Sequence, residues 1–467
     1  MKFLFLSLVL GSHLALADYD QLEKDFGKSS INFAGYRKTI LSTVDSGFPY
    51  SALPWIKDYL VKSEKGLDRE ISRSISKVVS IVGIKPFESL PDSALKKLND
   101  GHFLYILAKR QLKAGKANIA LELLKSLPQD DAYPFLLNLK ATALTVAKQD
   151  ESALSTYKEC IEESQSQISS KKSQVQFNQM MMNRDYCIAG VARVKFSQGK
   201  YQEAELAYLD LKKESFVWPE ILFEEAWTSY YLKNYNRTLG KLISYRAPVF
   251  DFIVNPEIEI LKAMTYFRMC LYDDAKKVVD SFYQDYLTPS RDLRAYVLKA
   301  GNDYSLYFNL MADFEDGKSS GISVLDESLR SIRKDAAYRE LKANLVDAIA
   351  ELNRIRKLGN SSLAQNLSTN TKTVIGEFKT SLGAYIRSSL VTKYSEFYKA
   401  FENMSYIKLE VLAMRKERIY QQLDEVGKKR GDVKYIDRND KQYFWTFNGE
   451  FWADELGDYV FALRSEC

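Results

Sequence analysis

Apolar residues recur at spacings of three and four over most of this chain, a pattern that predicts helices. Ile188, Val191, Ala192 and Val194 lie on one helical face; Ser197-Gln198-Gly199-Lys200 makes a turn. Tyr201 opens a second helix lined by Ala204, Tyr208 and Leu211, and Trp218-Pro219 starts the next unit, since proline is tolerated in a first helical turn. This helix-turn-helix pattern occurs five times between Gly101 and Pro289, marked by a small or short residue in each. The markers run 33 residues from Ala120 to Ala153, 51 to Ala204, 34 to Thr238 and 37 to Ala275. A period of about 34 belongs to a two-helix unit that cannot bury its apolar face alone and stacks on its neighbours. The widest gap holds Glu162–Asn183, rich in Ser, Gln and Lys, and reads either as longer helices or as an inserted loop. Its Met180-Met181-Met182 run suits a gap-filling core or an adaptable contact.

The flanks follow other patterns. Residues 18–100 hold helical stretches broken by Gly47-Phe48-Pro49, Pro54, Pro86 and Pro91, with an apolar stripe at Ile71, Ile75, Val78, Val79 and Val82. They predict a helical cap. In residues 291–430, Leu341, Leu345, Ala348, Leu352 and Ile355 form a 4-3-4-3 seam suited to a long partner helix. The seam resumes at Tyr394, Phe397, Phe401, Met404, Ile407, Val411 and Met414, beyond the polar stretch Ser361–Thr373. Two long antiparallel helices follow, the first starting near Ser323, joined by a loop at about 359–372. In residues 431–467 the pattern turns strand-like: Val433, Tyr435 and Ile436, a turn at Arg438-Asn439-Asp440, then Tyr443–Phe447 and the hairpin signal Asn448-Gly449. A small aromatic β-hairpin module is expected there. The fold class predicted is thus mainly α: an α-solenoid over 101–290, a long antiparallel helical hairpin and a C-terminal β-hairpin module.

The repeat resembles the tetratricopeptide repeat. The third unit carries the resemblance through Ala192, Gly199, Tyr201, Ala204 and Tyr208, and the first through Leu104, Leu107, Ala108, Gly115 and Ala120. The second matches at Ala141, Ala153 and Tyr157, and the fourth at Ala226, Tyr235 and Leu242, with Thr238 in place of the usual Ala. The fifth matches at Ala263, Tyr266, Tyr272, Ala275, Phe282 and Pro289, with Cys270 where Gly is common. The resemblance implies a concave face lined by the first helix of each unit. Carried over position by position, that face takes Tyr105 and Lys109, then Arg193 and Phe196, then Phe223, Trp227 and Tyr230, then Ile260, Met264 and Phe267. It would be aromatic in the middle with a basic flank, the chemistry of a protein or peptide interface. The same rings would serve equally as packing between units.

Composition narrows the function classes. Lys2, the apolar run Phe3–Leu10 and Ala15-Leu16-Ala17 before Asp18 predict a cleaved export signal over 1–17. No later segment is long and apolar enough to span a membrane. Lys and Arg total 66 against 61 Asp and Glu, a net charge of +5, which gives no warrant for nucleic-acid binding. His102 is the only histidine besides His13, which lies in the signal. Histidine-based metal or nucleophile chemistry lacks partners, so no catalytic residue, metal site or cofactor is expected. Glu450, Asp454 and Glu455 among aromatic rings leave an alternative, a glycan-binding or glycan-cleaving tail. Export permits disulfides without requiring them. Cys160, Cys187 and Cys270 fit free thiols on helices equally well; if Cys467 pairs, Cys270 is the candidate, because its turn lies at the solenoid end nearest the C-terminal half. Phe444–Tyr459 with Arg464-Ser465-Glu466-Cys467, taken with the repeats and the export signal, resembles envelope-associated tetratricopeptide proteins of predatory and gliding deltaproteobacteria. That resemblance implies a periplasmic protein-binding scaffold in an envelope assembly or motility-type complex.

Overall fold

One turn geometry recurs at the middle of each helix pair. Gly115, Lys148, Gly199, Lys233 and Cys270 all have positive φ, at 73°, 59°, 74°, 61° and 56°. In the first turn the Gly115 amide donates to the Leu112 carbonyl and the Lys116 amide to that of Gln111, each at 3.0 Å. The same two bonds close the other four turns. They satisfy helix-end carbonyls that would otherwise be orphaned. Five residues beyond each turn centre stands Ala120, Ala153, Ala204, Thr238 or Ala275, every one fully buried, where a small side chain lets the second helix approach the first.

In this computed structural model the described residues are 22, 23, 26, 33–63, 67–169, 174–420, 443, 444 and 447–467. The export signal expected over 1–17 lies outside them, as do the expected strand at 433–436 and turn at 438–440. The early helices are α1 (Phe33–Asp45), α2 (Pro49–Lys62), α3 (Arg69–Val82) and α4 (Asp92–Leu95). The five pairs are α5 (Gly101–Lys113) with α6 (Ala117–Leu123), α7 (Tyr133–Val146) with α8 (Asp150–Ser169), α9 (Gln174–Ser197) with α10 (Tyr201–Tyr208), α11 (Trp218–Tyr231) with α12 (Tyr235–Ile243), and α13 (Glu257–Arg268) with α14 (Tyr272–Ala300). Then come α15 (Tyr304–Glu315), α16 (Ser323–Lys334), α17 (Ala336–Ile355) and α18 (Ser362–Tyr420). No described helix is long and apolar enough to cross a membrane. The chain divides into two units, residues 1–143 with 336–382 and residues 144–335 with 383–467.

The first unit is organised around the start of α2. The Ser51 amide and hydroxyl both donate to Oε1 of Glu351 on α17, each at 2.7 Å, and the Tyr50 amide reaches Oε2 at 3.2 Å. Glu351 is fully buried. A carboxylate over a helix N-terminus meets free amides and the positive end of the helix dipole. Ser51 also bonds Thr371 at 2.7 Å, Tyr50 bonds Asn344 at 2.9 Å, and Asn370 donates to the Ser51 carbonyl at 2.9 Å. Both α17 and the start of α18 are thereby fastened to α2. The loop expected at about 359–372 is confined to the break between Leu358 and Ser362. The polar stretch beyond it is helical, and Thr369, Thr371 and Thr373 satisfy their hydroxyls within it on carbonyls four residues back. The expected single helix from Ser323 is also interrupted, at the extended backbone of Asp335 (ψ 137°).

In the second unit, the described residues of the widest repeat gap belong to longer helices. α8 runs 20 residues and α9 runs 24, and Cys160 joins Cys187 across them. α14 continues through Pro289 to Ala300. The seam on the second half of α18 packs on the last helix pair: Ala400, Phe401, Met404 and Ile407 meet Ile260, Ala263, Val278, Val279 and Phe282, while Val411 meets Tyr272 and Ala275.

The expected C-terminal β-hairpin module is overturned. The described part of 431–467 contains no strand, only turns over Ala453–Asp458 and a single bridge position at Leu463. Its backbone groups find helix partners instead. The Gly457 amide donates to the Ser244 hydroxyl at 2.8 Å, the Phe461 amide to the Asn236 carbonyl at 3.1 Å, and the Glu466 amide to the Met269 carbonyl at 2.9 Å. The rings serve as anchors: Phe451, Leu456 and Tyr459 pack with Trp218, Leu222, Ala247 and Phe250. Cys467 is joined to Cys270. The segment is a strap along α12, and alternating aromatic residues fit a strap as readily as a hairpin.

Candidate functional site

Tyr105 and Lys109 lie in the first unit, on α5. Tyr105 is half-buried with Leu104, Leu112 and Leu123 against Ala108 and Leu124. The Lys109 ammonium sits over its ring, 5.3 Å from the centroid, and 4.0 Å from Glu88. Burial lowers the Lys109 pKa, with Lys85 adding to the effect and Glu88 opposing it.

The remaining predicted residues belong to the second unit. Arg193 on α9 does not form a free basic flank. Its guanidinium reaches Glu224 at 2.6 and 2.9 Å and Glu220 at 2.9 Å, and the Tyr208 hydroxyl also bonds Glu224, at 2.9 Å. Burial works against the Arg193 cation, but Glu224 and Glu220 outweigh it and hold its pKa above the ordinary value. Burial raises Glu220, opposed by Arg193. Burial and the Glu220 charge push Tyr186 up to about 12. This cluster clasps α9, α10 and α11. Glu220 and Glu224, four apart on one helix, were not singled out from sequence, although their spacing with Phe223 and Trp227 puts all four on one face.

Beside the clasp runs a file of rings. Phe196 meets Tyr201 at 5.3 Å and Tyr231 at 5.4 Å, and Tyr201 stacks on Tyr231 at 4.9 Å. Trp227 continues the file to Tyr231 at 6.0 Å, Tyr230 at 5.6 Å and Phe223 at 6.5 Å. Tyr231 remains 47% exposed, so the file is both packed and presented to water.

The file ends in a pocket of about 420 Å³. α11 contributes Trp227 and Tyr230; α13 contributes Glu257, Ile260, Met264, Phe267 and Arg268. The structure therefore brings Trp227, Tyr230, Ile260, Met264 and Phe267 together on one cavity. Its other wall is α18, through Asn403, Tyr406, Ile407 and Glu410. That wall was not legible from the repeats, because it comes from a helix more than a hundred residues downstream. Arg268 links two walls by donating from Nε to the Tyr230 hydroxyl at 3.2 Å. Glu257 and Glu410 are exposed. The floor and walls are aromatic and aliphatic, with ionic groups beside them, and the volume suits a small ligand or one or two side chains of a partner.

Glu450, Asp454 and Glu455 are exposed on the strap. Lys213 reaches the Asp454 carbonyl and pairs with Asp458 at 2.6 Å. Phe447, Phe451 and Tyr459 pack ring to ring at 5.2 to 5.8 Å. No cluster of His, Cys, Asp and Glu among the described residues could hold a metal ion. No family model matches the chain, and no curated protein matches it.

Proposed function

We propose that this chain is a non-catalytic, exported scaffold of the cell envelope that binds a protein or peptide partner through the aromatic face of its second unit. On this reading the helix pairs act as tetratricopeptide-like units and the protein works in the periplasm. The observation that supports it best is the pocket among Trp227, Ile260, Met264, Phe267 and Tyr406, with a partly exposed file of rings beside it. An apolar or aromatic side chain of the partner would enter the pocket, and its polar neighbours would meet Arg268, Glu257, Asn403 and Glu410. Aromatic anchors in a concave site carry most of the free energy in such interfaces. In-cell crosslinking tests the reading: Trp227→Ala, with unchanged circular dichroism, should abolish recovery of a partner that the wild-type chain captures. Undiminished capture by Trp227→Ala would remove this face from the proposal.

A further inference from the structure

The strap is held the way a protein holds a peptide ligand. Asn236 on α12 grips one residue of it twice: the Leu463 amide donates to Asn236 Oδ1 at 3.0 Å, and Asn236 Nδ2 donates to the Leu463 carbonyl at 3.1 Å. Such a two-point amide grip reads backbone, not side chain. Four residues on, Gly240 lets the strap come down onto the helix; a Cβ there would lie 1.5 Å from the Tyr459 carbonyl oxygen. Four residues further, Ser244 accepts the Gly457 amide. Asn236 and Gly240 on α12, with Ser244 immediately past its end, thus form one stripe. On either side are apolar seats, Trp218, Leu222 and Phe250 for Leu456 and Tyr459, and Leu239, Met269 and Leu271 for Phe461 and Leu463. A glycine in the middle of a helix is less favourable than alanine, and here the space a side chain would fill is taken up by the strap backbone. Of the strap residues 451–467 only Leu456 is buried, and Cys467 is exposed. The segment lies on the surface like a ligand, not within a core.

We propose that the Asn236–Gly240–Ser244 stripe is a binding site for an extended peptide, filled here by the chain's own residues 456–466, and that the Cys270–Cys467 disulfide locks this occupant in place. Once the lock opens, the same segment of a second copy can exchange into the site. The opening step is thiol–disulfide exchange with a dithiol. A dithiol thiolate attacks Sγ of Cys467, the Cys270 thiolate leaves and takes up a proton, and the second thiol then displaces Cys467 as a thiol. Two cysteines are reduced and the dithiol becomes a disulfide.

Hydrogen exchange on the full chain gives the first test. In the oxidised protein the amides of Gly457, Phe461 and Leu463 are protected; with a dithiol present they lose protection while those of α11 and α13 keep it. Gly240→Ala, which favours the helix but collides with the Tyr459 carbonyl, strips the same amides even when oxidised. Protection that survives both treatments makes the strap a fixed part of the fold and overturns the proposal. The second test reads binding in trans. A tethered segment competes at roughly millimolar effective concentration, so the assay uses the full chain with Gly457→Val and Cys467→Ser; Gly457 has φ +86° and lies against Trp218, which keeps the substituted strap from seating. A labelled peptide of residues 454–466 binds this chain and not the oxidised wild type, and adding Asn236→Ala weakens binding by about tenfold, the loss of two backbone hydrogen bonds. No binding by a chain whose exchange pattern shows α11–α14 intact, or binding indifferent to Asn236→Ala, overturns the site.

Discussion

Each unit fastens segments far apart in sequence, and the two do it by different physics. In the first, Glu351 on α17 is tied to Tyr50 and Ser51, about 300 positions away, by hydrogen bonds to a fully buried carboxylate. In the second, Cys467 is tied to Cys270 across 197 positions by a covalent bond at the surface. With water excluded, hydrogen bonds to a charge are each worth about 1.5–3 kcal/mol, and unmaking them leaves helix-end amides with no substitute partner. At the surface, water replaces lost hydrogen bonds, and a strap held only by amides would open readily. The contrast suggests that the buried knot sets global stability, while the covalent fastening controls a local event.

The sharpest way to break that contrast is Glu351→Ala. It removes three hydrogen bonds and leaves the Tyr50 and Ser51 amides buried without acceptors, so unfolding free energy should fall by about 3 kcal/mol or more, measured by urea denaturation. Cys467→Ser should change the same measurement by less than about 1 kcal/mol, because the strap can leave without the helix pairs unfolding. A drop after Cys467→Ser as large as that after Glu351→Ala would refute the division into global and local fastenings.

The second disulfide sharpens the comparison by separating covalency from burial. Cys160 and Cys187 are both fully buried between α8 and α9, and Asn183 donates to Ser164 beside them at 3.0 Å. Their loop spans 27 positions, against 197 for Cys270–Cys467. Chain entropy alone ranks the longer loop as more stabilising; burial ranks the shorter one first. We expect the double substitution Cys160→Ala and Cys187→Ala to cost about 2–3 kcal/mol, less than Glu351→Ala but well above Cys467→Ser. Equal losses for the two disulfides would favour loop length as the deciding factor.

What was legible in the chain follows the same line between local and distant effects. The helix pairs could be read because their signals are local: a small residue at Ala204, a turn at Gly199, a stripe of period near four. Even the turns lacking glycine, at Lys148, Lys233 and Cys270, kept the register. The aromatic face was legible as positions, through Trp227, Ile260, Met264 and Phe267, but its closure was not. Tyr406 and Glu410 come from a helix whose polarity pattern says only that one stripe is buried. Arg193 looked like a free cation because its partners Glu220 and Glu224 lie in the next repeat. The tail misled for a physical reason: Tyr459, Phe461 and Leu463 alternate as strand residues do, but the backbone of Gly457, Phe461 and Leu463 finds its partners in Asn236 on α12 and in Ser244 just past its end. Glu351 gave no signal, since an acidic residue in an amphipathic helix usually faces solvent.

The smallest expected effect concerns protons, which only the buried knot can exchange; a disulfide does not titrate. Burial raises the Glu351 pKa, and the Ser51 hydroxyl, the Ser51 and Tyr50 amides and Arg354 only partly offset it. A raised carboxyl pKa means that the folded chain holds this proton more tightly than the unfolded chain does. Its contribution to stability is therefore fully present below the unfolded value, near pH 4.3, and is lost as pH rises through the folded value. This is opposite in sign to Asp100, whose pKa is lowered: burial raises it, but His102 and Ser76 outweigh burial, so its contribution is lost as pH falls. Glu351→Gln keeps an oxygen for Ser51 and cannot ionise. The stability of wild type relative to Glu351→Gln should decline as pH rises from 4 toward 7, read from urea denaturation at each pH. Parallel pH profiles for the two chains would mean that the buried carboxyl is equally at ease charged and neutral, and the helix start would then offset its burial in full.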